Sequence, residues 1–350
     1  MNARRGTFPD LYVDETWLAQ RTEEALDPQL PIVDPHHHLW RRATPYFVPE
    51  LLADLSCGHH IRGTVYMECS NMYRADGDPR FASVGEVEYV NGIGAEFASG
   101  CHGAVRACAG VVGHVDLMQG DAAREVMDAM LLRAPDRLRG IRHMAAWDAS
   151  PAINVLKRPP PPHLLLHPQF RQGFSHLRDL NLSFDAWVYH PQLPQLIDLI
   201  DAFPDTVVVI DHVGGLVVTG PYAEHQKEAV SQWTRSMREI ARRPNVMVKI
   251  GGLNSRLHGF DFMDRALPPS SEQLAQAWRP YFDTCIEAFG SRRAMFESNF
   301  PVDKCGCSAN VLWNAFKRLA AGCSEDEKAD LFAGTAVRTY RLPDALRRPA

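Results

Sequence analysis

Residues 204–215 read "PDTVVVIDHVGG". Pro204 and Asp205 end an amphipathic stretch at 192–203, "QLPQLIDLIDAF", whose apolar residues recur every three to four positions. A short apolar run, Thr206 to Ile210, follows, and then the chain turns polar at Asp211 and His212. That is a helix, a strand covered on both faces, and a polar strand end. Near-continuous apolar strands of this kind belong to parallel sheets.

Working outward, the same unit recurs. Apolar runs fall at 32–33, 61–69, 107–113, 138–143, 182–188, 206–210, 245–250 and 293–296. Helical stretches separate several of them, at 121–133, 192–203, 225–242 and 272–289, and one follows at 311–320. Eight strand–helix units in 350 residues predict a single (β/α)8 barrel, an α/β fold of the TIM type. The barrel is expected over 31–343, with an N-terminal extension at 1–30 and a tail at 344–350. Trp17, Leu18 and Leu26 predict that part of the extension packs back. The four prolines at 159–162 mark 151–170 as a long loop between units four and five, on either face, and 254–271 reads as a second loop after strand seven.

A net charge of −5 offers no polybasic surface, so nucleic acid is not expected as a partner. No run of 18 apolar residues occurs, and the polar N-terminus lacks a signal segment, so no membrane association is expected. Of eight cysteines the one close pair, Cys305 and Cys307, has the wrong gap for a redox or zinc motif; a cytoplasmic protein fits. A small molecule is the expected partner, and a homo-oligomer is allowed. The glycines at 214–215, and at 110 and 113, complete no nucleotide-binding loop and read as tight turns.

Barrel sites are assembled at the C-terminal ends of strands. The first strand runs into "DPHHHLW", residues 34–40. His36 and His38, two apart, share a direction into the mouth, and His37 points to the covering layer. Strand five leads to Tyr189 and His190, and strand six to Asp211 and His212. Alternation places Asp211 and His212 on opposite faces, so Asp211 is not simply the partner of His212. Three neutral imidazoles suit Zn²⁺, Fe²⁺ or Mn²⁺, and a fourth could serve as base. Glu68 could fix an imidazole tautomer, face the substrate, or pair with a neighbouring cation. Arg142 could clamp a substrate carboxylate or form an ion pair. Trp40, Tyr66, Trp147, Trp187 and Tyr189 could shape a pocket.

With "VDPHHHLW", "LRGIRH", "LSFDAWVYHPQL", "VVVIDHVGG", "NVMVKIGGL", "MFESNFPVD" and "LFAGTAVRTYRL", the chain resembles the amidohydrolase superfamily over residues 30–342. It is closest to the amidohydrolase-2 branch of sugar lactonases, pyrone-dicarboxylate lactonase and aminocarboxymuconate-semialdehyde-type decarboxylases. The resemblance implies that His36, His38 and His190 bind one divalent metal, zinc first, and that His212 acts on its water. In lactonase-like relatives the metal can be absent, and the histidines polarise the carbonyl themselves. Arg142 matches an arginine that holds acidic substrates, and Glu68, Tyr189 and Trp147 complete the expected substrate contacts. Where the family has an aspartate, "SDWP", this chain has Asn299 in "SNFP". Asparagine takes no proton at ordinary pH. Asp303, four residues on, or His212 is then expected to supply the base, with Glu297 as another replacement carboxylate. The reading is a lactone hydrolase, with metal-dependent decarboxylation and a non-catalytic binding barrel as alternatives.

Overall fold

The computed structural model describes residues 11–156 and 158–348; residues 1–10 of the expected extension, Lys157 of the expected loop and 349–350 of the expected tail lie outside it. Eight strands form one sheet, β1 (Ile32–His37), β2 (Ile61–Met67), β3 (Arg106–His114), β4 (Leu138–Arg142), β5 (Ser183–Ala186), β6 (Val208–Ile210), β7 (Val246–Ile250) and β8 (Ala294–Phe296). Each pairs in parallel with the next in chain order. Beyond β8 the sheet closes on itself. His38 N donates to Phe300 O at 2.8 Å, and Asn299 N donates to His36 O at 2.9 Å. Asp34 staples this seam by accepting from Ser298 N and Ser298 Oγ, at 2.9 and 2.6 Å.

The predicted helices are present at Ala123–Arg133, Leu193–Ala202, Gln226–Ile240, Ser271–Phe289 and Ala309–Leu319. The 19-residue helix starts cleanly because Ser270 caps it and Gln273 bonds back to the Ser270 N–H. One apolar layer lies between strands and helices, with residues such as Phe184, Leu196 and Trp278 fully buried. A second fills the lower barrel, where Val33, Val65, Val112, Val209 and Met295 meet Tyr340, Leu342 and Leu346 of the C-terminal segment. Leu346, in the stretch read as a tail, is buried and sits where Gly63 leaves room. Tyr340 reaches furthest, its hydroxyl donating to Asp185 Oδ2 at 2.5 Å.

Trp17 and Leu18 of the N-terminal segment are buried, whereas Leu26 is exposed and is held through its backbone N–H on Asn314 Oδ1. Trp17 Nε1 donates to Arg265 O at 3.1 Å, tying this segment to the loop after β7. That loop and the one after β4 both line the barrel mouth, which fixes the face left open by the sequence. Among the described residues no helix is long and apolar enough to cross a membrane.

Candidate active site

Buried charge in the upper barrel is the first unusual feature. Lys249, in the middle of apolar β7, is fully buried and pairs with Asp185 at 2.7 Å and Asp211 at 3.0 Å. Burial alone would strip the Lys249 proton, yet Asp185, Asp211 and Glu297 outweigh it and hold the ammonium above its ordinary range. Arg142, at the end of β4, donates to Glu68 Oε1 at 2.7 Å, to Glu68 O at 2.5 Å and to Asp211 Oδ2 at 3.3 Å. Four buried carboxylates, Glu68, Asp185, Asp211 and Glu297, therefore face two permanent cations. The imbalance favours further positive charge in the same space.

The histidines stand above this network. His36 Nε2 and His38 Nε2 approach to 3.3 Å. His38 Nδ1 faces Met67 O at 2.9 Å and must carry a hydrogen there, which leaves Nε2 as a lone pair. His36 Nδ1 lies 2.9 Å from Glu297 Oε2, 3.5 Å from Asp211 Oδ1 and 3.2 Å from Lys249 Nζ. Two proton arrangements are open to His36, and each satisfies part of these contacts. With the hydrogen on Nε2, a relay runs from Lys249 through His36 to His38 and Met67 O. With it on Nδ1, His36 donates to Glu297 and two Nε2 lone pairs face each other. Two nitrogens about 2.0–2.1 Å from a tetrahedral ion lie about 3.3 Å apart, so the second arrangement has the spacing of a ligand pair. Burial, then Lys249, hold His36 below its ordinary range, as burial and His36 do for His38, so both rings are neutral, as ligation requires.

His212 completes the group. Its Nδ1 donates to Glu297 Oε1 at 2.7 Å, and its ring lies 4.6 Å from that of His36. Burial opposes protonation of His212, but Glu297, Asp211 and Asp303 raise it above the ordinary imidazole value. Glu297 is the converse: burial would raise it, and His212 and His36 hold it down at about 2. His36, Asp211 and His212 each bring a ligand atom within 4.8 Å of the others, a set compatible with a divalent metal.

Asp211 and His212 thus face the same site, contrary to the alternation expected. The backbone explains it. His212, Val213, Gly214 and Gly215 have φ of +53, +49, +76 and +61°, a left-handed turn that ends strand alternation at Asp211. Gly215 is obligatory here, since a Cβ would lie 1.8 Å from Val188 O. Gly252 makes the matching space for the His212 ring.

The remaining expected residues divide. Asn299, itself at φ +54°, lines the mouth; its Nδ2 donates to Asp303 Oδ1 at 3.0 Å, and its buried Oδ1 has no partner among the described residues. Asp303 lies behind it, accepting also from Asn254 N at 3.2 Å, and burial raises its carboxyl to about 7 despite His212. His190 has a different setting from His36 and His38. It lies four residues past the end of β5, and its Nδ1 accepts from Val217 N at 3.2 Å. The neutral ring then carries its hydrogen on Nε2, which is buried and has no hydrogen-bond partner among the described residues. Glu68 pairs with Arg142 through Oε1, and its buried Oε2 has no hydrogen-bond partner among the described residues. Tyr189 lines the cavity with its hydroxyl on Ile153 O at 3.1 Å. Trp147 lies outside the lining, near His163. His37 faces outward onto Thr64 Oγ1 at 2.8 Å.

Sequence reasoning missed Asp185 and passed lightly over Lys249 and Glu297. The available signal was a single charge inside a fully apolar strand, as in "LSFDAW" and "NVMVKI". Above the histidines the mouth opens into a cavity of about 1000 Å³, which is not the closed mouth of a non-catalytic barrel.

A family model described as Amidohydrolase matches residues 33–342. The uncharacterized protein y4mH of Sinorhizobium fredii is 31% identical over 330 residues, 89% of this chain and 98% of its own length. An L-fucono-1,5-lactonase of Burkholderia multivorans is 27% identical over 239 residues, 67% of this chain and 72% of that protein. Among solved structures, a zinc-bound amidohydrolase from Burkholderia multivorans superposes with a TM-score of 0.68 at 24% identity, covering 89% of this chain and all of that one. A 2-pyrone-4,6-dicarboxylic acid hydrolase assigned in Pseudomonas putida superposes at 0.56 with 18% identity, covering 89% and 98%. At these identities the structures speak for the fold.

Proposed function

We propose that this chain, which belongs to the amidohydrolase family, hydrolyses a small lactone at the histidine end of its barrel. The observation that carries the reading is the pair of Nε2 atoms 3.3 Å apart on His36 and His38, beside a His212 fixed on Glu297. Lactonases among the relatives, and the zinc in the Burkholderia structure, agree with it.

His36 and His38, with Asp211, would hold a divalent ion, zinc the first to test, which when bound supplies a Lewis acid for the carbonyl and a more acidic water. Glu297 orients both His36 and His212 from one carboxylate. Proton abstraction from the attacking water falls to His212, whose Nδ1 hydrogen on Glu297 leaves Nε2 as acceptor in the neutral ring. The resulting imidazolium is stabilised by the carboxylate it already touches, and it can return the proton to the departing ring oxygen. Asn299 Oδ1, buried and without a partner among the described residues, is a spare acceptor at the edge of this site. Decarboxylation gains less support, because Arg142 spends three of its five N–H groups on Glu68 and Asp211.

The test is metal analysis of protein purified without added metal, alongside ring opening of L-fucono-1,5-lactone followed by acid release. The expected result is about one equivalent of metal per chain, and turnover lost on chelation and in His38→Ala. Turnover unaffected by chelation would move the reading to metal-free histidine catalysis. No turnover of any lactone, with metal bound, would overturn it.

A further inference from the structure

The polar groups around the cavity are largely spent on one another. Asn154 accepts from Asp148 N at 3.0 Å and donates to Asp148 O at 2.7 Å. Tyr189 is bound to Ile153 O, and Ser255 Oγ accepts from Leu257 N at 3.3 Å. Arg256 makes a two-point pair with Asp264 at 2.6 and 2.7 Å. Among the described residues lining the cavity none is acidic. Arg42 and Thr219 are likewise bound, to Cys69 O at 3.0 Å and Leu257 O at 3.5 Å, and beside them, Ser70 and His258 the outer lining is apolar: Trp40, Met144, Leu156, Trp187, Leu257 and Met263, contributed by four different strand–helix connections.

A polyhydroxy lactone needs a partner for nearly every hydroxyl it buries, because an unpaired polar group costs more than it returns. These walls have few to offer. An alkyl or aryl group, by contrast, gains simply by leaving water. The cavity is also at the upper end of the size that drug-sized ligands occupy, well beyond a bare six-membered ring.

We infer that the site selects a lactone bearing an extended apolar body, alkyl or aryl, in preference to a sugar lactone. The inference rests on the lactonase reading above. The scissile ring sits at the histidine end, where Asn299, His38 and His212 supply the polar contacts. The apolar body lies outward, between Trp40 and Trp187 and under the loops that follow β4 and β7. Specificity then resides in those two loops.

The test is a series of δ-lactones with side chains lengthened one carbon at a time, from δ-hexalactone to δ-dodecalactone, with D-glucono-1,5-lactone as the polyol. Binding of the ring-opened 5-hydroxyalkanoates and of gluconate is measured in parallel by calorimetry. Each buried methylene should raise kcat/KM about fourfold until the cavity is filled. Affinity of the ring-opened acids should climb in step. Trp187→Gln should lower the ratio of δ-decalactone to gluconolactone turnover by about tenfold. A flat series with gluconolactone preferred would overturn the inference and leave the lactonase reading intact. If no lactone is turned over, that reading falls, and the acid series decides the inference alone: rising affinity upholds selection for an apolar body, and flat affinity overturns it.

Discussion

The amide of Asn299 donates from Nδ2 to Oδ1 of Asp303 at 3.0 Å, and this one bond decides which way the amide oxygen points. When ionised, Asp303 accepts and cannot donate, so the Oδ1 of Asn299 is left on the other side of the amide, buried and without a partner among the described residues. A residue that departs from the family pattern is thereby held by a neighbour four positions on.

Asn299→Asp would place two carboxyls in contact. Both cannot ionise at that separation, so the pair should retain a proton at neutral pH. The proton goes to the deeper group, since burial already raises Asp303 to about 7. A charged oxygen at 299 would add a ligand that Asn299 does not supply to the His36, His38 and Asp211 set, so the variant should bind a divalent metal about tenfold more tightly. Metal titration of the stripped protein checks this; unchanged affinity would place residue 299 outside the ligand sphere.

Glu297→Gln removes the charge that both His36 and His212 face. Loss of such a supporting carboxylate lowers metal affinity or activity by about 10- to 100-fold. The His212 pKa should also fall, because Glu297 is the leading group that raises it against burial. Imidazole NMR titration of metal-free protein would register that fall even if activity were lost for another reason.

Lys249→Met tests the buried pairs. It removes the cation between Asp185 and Asp211 and leaves two carboxylates facing each other without it. Breaking a buried pair from one side costs about 3–5 kcal/mol, far more than a surface pair. Urea denaturation should show a loss of that size. A loss under about 1 kcal/mol would mean that water reaches this part of the barrel.

Stability should be greatest between about pH 6 and 7. His37 and His143 are held at about 3, and His59, His190 and His258 at about 4, in each case foremost by burial. Their folded values lie below the unfolded one, so their contribution is present above pH ~6.5 and is lost as pH falls toward 4. Asp34, Glu86 and Asp303 are raised to about 7, again foremost by burial. Their contribution is present below pH ~4 and is lost as pH rises through 7. The two sets nearly cancel between about pH 6 and 7, and the histidines win below it. Asp303→Asn removes one of the opposing carboxyls and should move the maximum upward. Urea midpoints from pH 4 to 8 check both statements; a maximum at or below pH 5 would contradict them.

The barrel was legible because its strands are covered on both faces, so that apolar runs and polar ends could be read directly. The positions of His36 and His38 followed from the two-residue period of β1. The shared orientation of Asp211 and His212 did not, because a left-handed turn at 212–215 breaks that period, and only the glycines at 214–215 hinted at it. His190 was read as a strand-end group, but β5 stops at Ala186 and a short helical turn re-aims the ring. Ion pairs across the barrel, such as Glu68 with Arg142, join residues 74 positions apart, and no local pattern announces them.

Tyr340 closes the lower barrel, and its hydroxyl supports Asp185, which holds Lys249, which touches His36. During synthesis all eight strands emerge from the ribosome before this residue does. A nascent chain can therefore complete its sheet while the charged floor beneath the histidines is still open to water from below. The floor is sealed only when the C-terminal segment packs under the sheet, so the last residues made are the ones that shut water out from below the histidines.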